Sequence, residues 1–415
     1  LKNISVASDI TRLRRVVVHR PDPGIEWVTP SNADELLYDD IVFLPQMIDQ
    51  HQRFVEVLSA VLGPSTVIEF QTLLEEILDD SEVRYSLVET VIAFEKLNRS
   101  AADYLRNLPP VSLAAVLICG VVPGMAKPLL PPLPNHIFTR DIGVSVNNYF
   151  FTCIAGKTAR KRESILAWFV AHYHPLISGE GTRYLDLCRD PDELLKHLIE
   201  DKLAIEGGDI MVLNQDNLFI GSSLRTNEYS IKKVAELLLT KKVVERVTQI
   251  EIPRLPTCIH LDTLFTQISH TDFVVYRPYM EGKLNIKQYR NTVDQVVTYD
   301  SLQKLVGETQ PDFRFIPCGN GKYPYQEREQ YASGCNFVAL QDGVAVSYAR
   351  NLKTLEALKE HGYQIISADE LLNGIKLGLT KVDKLEPTII TVNDSELTRA
   401  GGGPHCLTLP LIRGN

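Results

Sequence analysis

One pattern constrains the fold of this chain more than any other. A pair of short apolar segments joined by a polar turn recurs in HIFTRDIGVSVNNYFFTCI, AIEGGDIMVLNQDNLFIGSS, CIHLDTLFTQISHTDFVVYRP and CNFVALQDGVAVSYARN. Each is rich in Val, Ile and Phe and is broken by Asn, Asp or Gly, the signature of a β-hairpin. Helical periodicity fills the intervals, at 162–174, 231–239, 301–306 and 352–361. The polar residues Asp141, Glu206, His260, Asn336 and Cys406 fall at intervals of 54 to 76 residues along this series. Strand-helix modules at such a period indicate a radial repeat of α/β class. A strand at 15–19 and a last strand in CLTLPLIR close the ring, giving about five modules.

Residues 71–122 depart from this pattern. QTLLEEILDD, EVRYSLVETVIAFEKL and AADYLRNL are helical in period, and Pro109-Pro110 opens a further apolar helix. The proline-rich KPLLPPLPN, 127–135, leads out. The expected division is therefore a catalytic domain built from 1–70 and 133–415, with a helical insertion at 71–132.

The net charge of −9 argues against a nucleic-acid partner, while leaving any single cleft free to be basic. The longest apolar run, 111–122, is shorter than the about 20 residues a membrane-spanning helix needs. LKNISVASDITRLRR lacks the apolar centre of a signal peptide, and a first residue of Leu1 leaves room for a short leader. The seven cysteines are scattered and never form CxxC. That usage predicts free thiols in a reducing, cytoplasmic setting rather than a disulfide scaffold or zinc ribbon. A small-molecule partner is expected, with no nucleic acid and no membrane; a homo-oligomer is compatible with the composition.

The polar residues stand where strands end, so a radial fold brings them to one cleft. His260 and Asp262, two apart, share a face if they lie on a strand. Glu206 precedes two glycines, which keep bulk away from a ligand. One Cys, one His and several carboxylates suit thiol chemistry on a cationic electrophile. Carboxylates grip the N–H donors of a guanidinium and hold its carbon over the sulfur, and the imidazole moves the proton. Taken singly, each piece has a plain explanation. Thr139-Arg140-Asp141 reads as a structural ion pair, EGGD as a tight turn, and HLD as a metal half-site or ordinary strand. GGGPHC lacks the ending of a phosphate loop.

Taken in order, the motifs resemble the arginine deiminases of the guanidino-group-modifying (pentein) superfamily. They are LRRVVVHRPDPG, LLYDDIVFLPQMIDQH, PLPNHIFTRD, TARKRES, IEGGDIMVL, GSSLRT, HLDTLFTQI, EREQYASGCN and GGGPHCLTLPLIR. The resemblance covers nearly the whole chain. It implies a five-bladed α/β propeller around a central cleft and hydrolysis of L-arginine to L-citrulline and ammonia. By that resemblance Cys406 is the nucleophile, His260 the acid/base, Glu206 its partner, and Asp141 and Asp262 the guanidinium clamp. Asn135, Arg160 and Arg225 map to the site for the amino-acid carboxylate, and Glu163, Asp209 and Gly402 to positions near the substrate. No metal and no cofactor is implied.

One departure from the family pattern falls in the last loop. Where the family usually carries a second, gating arginine, this chain has Gly401, followed by Gly402, Gly403, Pro404 and His405. The glycine run predicts a loop that is mobile without ligand. The ending also resembles that of amidinotransferases, so amidino transfer stands as an alternative to hydrolysis. Hydrolysis of another guanidino or ureido amino acid, such as citrulline, is a second alternative. A catalytically silent sensor is a third, opposed by the intact Cys, His and carboxylate set.

Overall fold

The hairpins form where the apolar segments are buried on both faces and the intervening turn accepts an unusual backbone. In the first, Gly143–Val146 pairs antiparallel with Tyr149–Thr152, and Asn147 takes a left-handed φ of 52° at the turn. In the last, Val338–Gln341 pairs with Val344–Tyr348 around Gly343 at φ 75°. Asn and Gly are the residues that tolerate this conformation in tight hairpins. The structure is a computed structural model and describes residues 3–38, 40–63, 65–179 and 181–414.

Each hairpin is extended by the same device. A helix crosses over, and a new strand joins the second hairpin strand in parallel, the connection that parallel pairing requires. Lys161–Tyr173 leads to Arg183–Tyr184, and Glu228–Thr240 leads to Arg246–Glu251. Leu302–Thr309 leads to Arg314–Pro317, and Ala368–Lys376 leads to Thr388–Val392. The two chain ends build a further unit on the same plan. The last strand, Leu409–Arg413, pairs antiparallel with Leu13–Val18, and helix Leu44–Leu62 returns Val67–Glu69 parallel to it.

The described residues thus contain five separate sheets. We label the strand that begins each plan: β1 (Gly143–Val146), β2 (Ile210–Asn214), β3 (Phe265–Gln267), β4 (Val338–Gln341) and β5 (Leu409–Arg413). Two sheets carry additions that the sequence pattern did not announce: Gln364–Ser367 pairs parallel with Thr388–Val392 as a fourth strand of the β4 sheet, and the β2 sheet gains two strands. Ile286–Arg290 and Thr292–Tyr299 extend the β2 sheet to five strands, and most of Thr292–Tyr299 is exposed. With both faces largely in solvent, it carries no apolar alternation to read.

Between Phe70 and Cys119 the chain forms four helices, α1 (Phe70–Ile77), α2 (Ser81–Glu95), α3 (Arg99–Asn107) and α4 (Pro110–Cys119). Caps mark the starts: Asp80 accepts the Glu82 and Val83 N–H groups, and Asn98 that of Ala101. These helices pack on α5 (Lys161–Tyr173). Leu74, Leu87, Val91, Leu113 and Leu117 share one apolar cluster with Ile165, Phe169 and the β1 hairpin. No helix among the described residues is long and apolar enough to cross a membrane.

Candidate active site

Five short turns, one immediately before each of β1 to β5, carry the polar residues singled out above. Asp141 lies in the 3-10 turn Thr139–Ile142, Glu206 caps Gly207–Asp209, and His260 caps Leu261–Thr263, which contains Asp262. Asn336 precedes β4, and Cys406 lies in the turn before β5. His260 and Asp262 are therefore on a turn, not on a strand. Their two-residue spacing does not put them on one face: His260 meets Glu206, and Asp262 meets the Cys406 loop. A turn wins here because Thr263 Oγ1 and the Thr263 N–H both bond the His260 carbonyl, folding the segment back.

The glycines after Glu206 serve close packing of protein on protein. A Cβ on Gly207 would stand 2.0 Å from the Arg140 carbonyl, and one on Gly208 would stand 2.5 Å from His260 Nδ1. They let two turns touch; they do not make room for a ligand. The loop glycines read similarly. A Cβ on Gly402 would lie 2.3 Å from the Phe138 ring, and one on Gly403 would lie 2.5 Å from Asn336 Oδ1. Gly401 adopts φ 87°, the left-handed region that glycine favours.

A cavity of about 330 Å³ opens on these turns. That is at the lower end of the roughly 300–1,000 Å³ typical of small-ligand sites. Cys406, His260, Asp141, Asn135, Arg160, Arg225, Gly401 and Gly402 line it, together with Lys157 and Phe138. Glu206, Asp262, Glu163 and Asp209 stand behind the wall and hold residues that are on it. Glu206 Oε2 lies 2.8 Å from His260 Nε2 and 3.7 Å from Arg225 Nη1. Glu163 grips Arg160 through both carboxylate oxygens at 2.8–3.2 Å. Asp209 accepts Ser223 Oγ at 2.6 Å and the Leu261 N–H at 2.9 Å, tying the Arg225 loop to the His260 turn.

Arg160 is already saturated by the protein. Its Nη1 donates to Asp141 Oδ2 at 2.7 Å and lies 3.4 Å from Glu206 Oε2. Arg225 differs: its Nη1 is buried and has no hydrogen-bond partner. Asn135 gives its side-chain N–H to the Leu36 carbonyl at 2.7 Å.

The electrostatics follow from burial and these pairs. Burial disfavours the His260 imidazolium, but Asp141, Glu206 and Asp209 outweigh it and raise its pKa to about 9. Burial opposes ionisation of Glu206 too, yet Arg225, His260 and Arg160 hold it well below the usual carboxylate range. Burial pushes the Cys406 thiol well up, and the neighbouring Asp262 and Asp141 push it further. Asp262 stays ionised against its burial because His405 Nδ1 bonds its Oδ2 at 2.8 Å, the oxygen that Cys406 Sγ meets at 3.4 Å.

Asp141, Glu206 and His260 also present ligand atoms within 4.8 Å of one another. They suit a metal poorly. Arg160 already neutralises both carboxylates, and an imidazolium offers no free lone pair. The donor set fits a planar cation with several N–H groups.

A family model described as arginine deiminase matches residues 124–413. The chain belongs to the arginine deiminase family. An arginine deiminase from Borrelia recurrentis is 30% identical over 100% of this chain and 98% of its own length. One from Limosilactobacillus fermentum is 29% identical over 99% and 98%. Among solved structures, the amidinotransferase SxtG from Microseira wollei aligns at a TM-score of 0.55, with 11% identity, over 100% of this chain and 98% of its own. DDAH from Pseudomonas aeruginosa, complexed with citrulline, aligns at 0.52 with 13% identity over 96% and 99%. These two share the α/β fold of this chain.

Two residues of the cluster were not in the expected set, Asn336 and His405. The interval pattern already contained Asn336, since it occupies the β4 turn in the series. No rule of residue chemistry singled out an amide there.

Proposed function

We propose that this arginine deiminase family member hydrolyses L-arginine to L-citrulline and ammonia through a covalent bond to Cys406. The observation that carries the reading is the juxtaposition on one cavity wall of a thiol, an imidazole with a pKa near 9, and the Asp141 carboxylate. Burial, and then the Asp262 and Asp141 carboxylates, keep the resting thiol protonated. A bound guanidinium supplies the positive charge that reverses this; the thiol proton passes to Asp262 Oδ2, 3.4 Å from Sγ, and returns when the sulfur is released, so the nucleophile forms when the substrate arrives.

The thiolate attacks the guanidinium carbon. His260, protonated at neutral pH and held by Glu206, gives its proton to the departing nitrogen, which leaves as ammonia. The neutral imidazole then takes a proton from water as that water adds to the S-alkylthiouronium. Collapse expels the Cys406 thiolate and releases the ureido product. Arginine binding has to exchange one guanidinium for another at Asp141, since Arg160 rests there. Arg225, whose Nη1 faces Glu206 at 3.7 Å but makes no hydrogen bond, is the better placed cation for the α-carboxylate. We assign Asp262 to the far side of the sulfur, and Glu163 and Asp209 to support of Arg160 and Arg225. We read the five sheets as blades of a propeller, with 71–132 inserted into it. The free state of all seven cysteines supports a reducing, cytoplasmic setting.

The test is incubation with L-arginine and no added amine. Equimolar citrulline and ammonia are expected. Release of neither, with product appearing only when an amine acceptor is supplied, would replace hydrolysis by amidino transfer.

A further inference from the structure

The turn before β4 contributes a group to which neither the sequence reading nor the reaction above gives a role, Asn336 at the end of EREQYASGCN. Asn336 is fully buried, and its carboxamide makes four hydrogen bonds. Its Oδ1 accepts the His405 N–H at 3.0 Å and the Cys406 N–H at 3.2 Å. Those two groups can only donate, so the amide oxygen has to face them and the amide orientation is determined. The NH2 group then points the other way. It lies 3.2 Å from the Asp262 carbonyl and 3.2 Å from Cys406 Sγ.

We infer that Asn336 is a positioning residue that fixes the place of the Cys406 sulfur and favours its thiolate. This rests on the assignment of Cys406 as nucleophile. The charged and titratable groups around the sulfur are Asp262 and Asp141, His405 on Asp262, His260 on the same cavity wall, and Tyr348 through the Gly402 carbonyl. Both carboxylates oppose ionisation. The Asn336 N–H acts in the other direction, as does the backbone at Gly403. A donor to sulfur stabilises S⁻ more than SH, because the anion is the stronger acceptor. The same amide holds the loop, since Gly403 packs directly on Asn336 Oδ1. One side chain therefore joins the turns before β3, β4 and β5 at the reacting atom.

The test compares wild type with Asn336→Asp and Asn336→Ala. Alkylation of Cys406 by iodoacetamide, a neutral probe, is followed from pH 6 to 11 and located by peptide mass spectrometry. Arginine kinetics and melting curves accompany it. Asn336→Asp keeps an oxygen for the two backbone N–H groups but loses the donor and adds a negative charge. Its thiol titration is expected to move up by about one unit or more, since loss of a hydrogen bond and gain of a like charge both disfavour the thiolate. kcat should fall about tenfold or more while KM changes far less, as expected of an interaction with the reacting atom. Asn336→Ala should show the same direction with a lower melting temperature; if it does not fold, the Asp variant decides alone. Superimposable alkylation profiles, or a loss confined to KM, overturn the inference. Alkylation that spares Cys406 in a wild type releasing no citrulline overturns the nucleophile assignment, and Asn336 with it. Unmoved variants of an active wild type overturn Asn336 alone.

Discussion

Cys406 sits among groups that oppose its ionisation, and His260 among groups that favour its own. Both groups therefore rest protonated: the imidazolium is ready as the acid, whereas the thiol needs the charge of a bound cation before it can attack. Cys406→Ala should abolish turnover while leaving the melting curve nearly unchanged, because the lost sulfur is small. Full activity in that variant, together with an unmodified Cys406 peptide after quenching wild type with substrate, would sink the assignment. The same inactive variant allows His260 to be titrated by ring-proton NMR. A pKa near 9 is expected, and Asp141→Asn in that background should lower it, since Asp141 is the foremost of the groups raising it. The sign for stability follows. With a folded pKa near 9 and an unfolded value of about 6.5, the stabilising contribution is complete below about pH 6.5 and is lost as pH rises through 9. A His260 that titrates at or below 6.5 would contradict the geometry.

Turns, rather than strands, carry the site, and their glycines are there for contact. Gly402→Ala should be overpacked against the buried Phe138 ring and cost about 1–3 kcal/mol in chemical denaturation. Gly403→Ala should lower kcat as well, because its Cβ would press on Asn336 Oδ1. Unchanged stability and kinetics in both variants would return these glycines to a purely flexible role. The same turns explain what the sequence disclosed. The hairpins were legible because apolar segments alternate with Asn, Asp and Gly turns. The crossover helices were legible from their periodicity, and the intervals of Asp141, Glu206, His260, Asn336 and Cys406 marked one turn per module. Three-dimensional pairings were not legible. Nothing local says that Arg160 rests on Asp141, that Glu163 and Asp209 lie behind the wall, or that His405 and Asn336 frame the sulfur. Apart from the Glu163–Arg160 pair, three positions apart, those facts depend on contacts between residues 14 to 144 positions apart.

At the scale of the molecule, the helices α1 to α4 and the sheets hold each other through α5. That helix faces both ways: Arg160, just before it, reaches the cavity, and Arg162, in its first turn, reaches the helical layer. Arg162 is almost wholly buried. It donates to the Leu117 carbonyl at the end of α4, to Glu95 at the end of α2, and to the Pro131 carbonyl in the connector leading back to the sheets. Burial lowers its pKa, and Glu95 opposes that shift. Arg162→Met fills the stem's volume but strands a carboxylate and two carbonyls. The cost should be about 3–5 kcal/mol, the range for breaking a buried pair from one side. Glu95→Gln should cost less, because the amide oxygen still accepts. If the layer and the sheets are one cooperative unit, Arg162→Met lowers the melting temperature of a single transition, and citrulline production falls with it. If the helices instead loosen alone, limited proteolysis should cut near 120–131 at temperatures where the enzyme still turns over arginine. Arg162→Met protein as stable as wild type would mean that apolar packing between α1, α4 and α5 carries the junction without the ion pair.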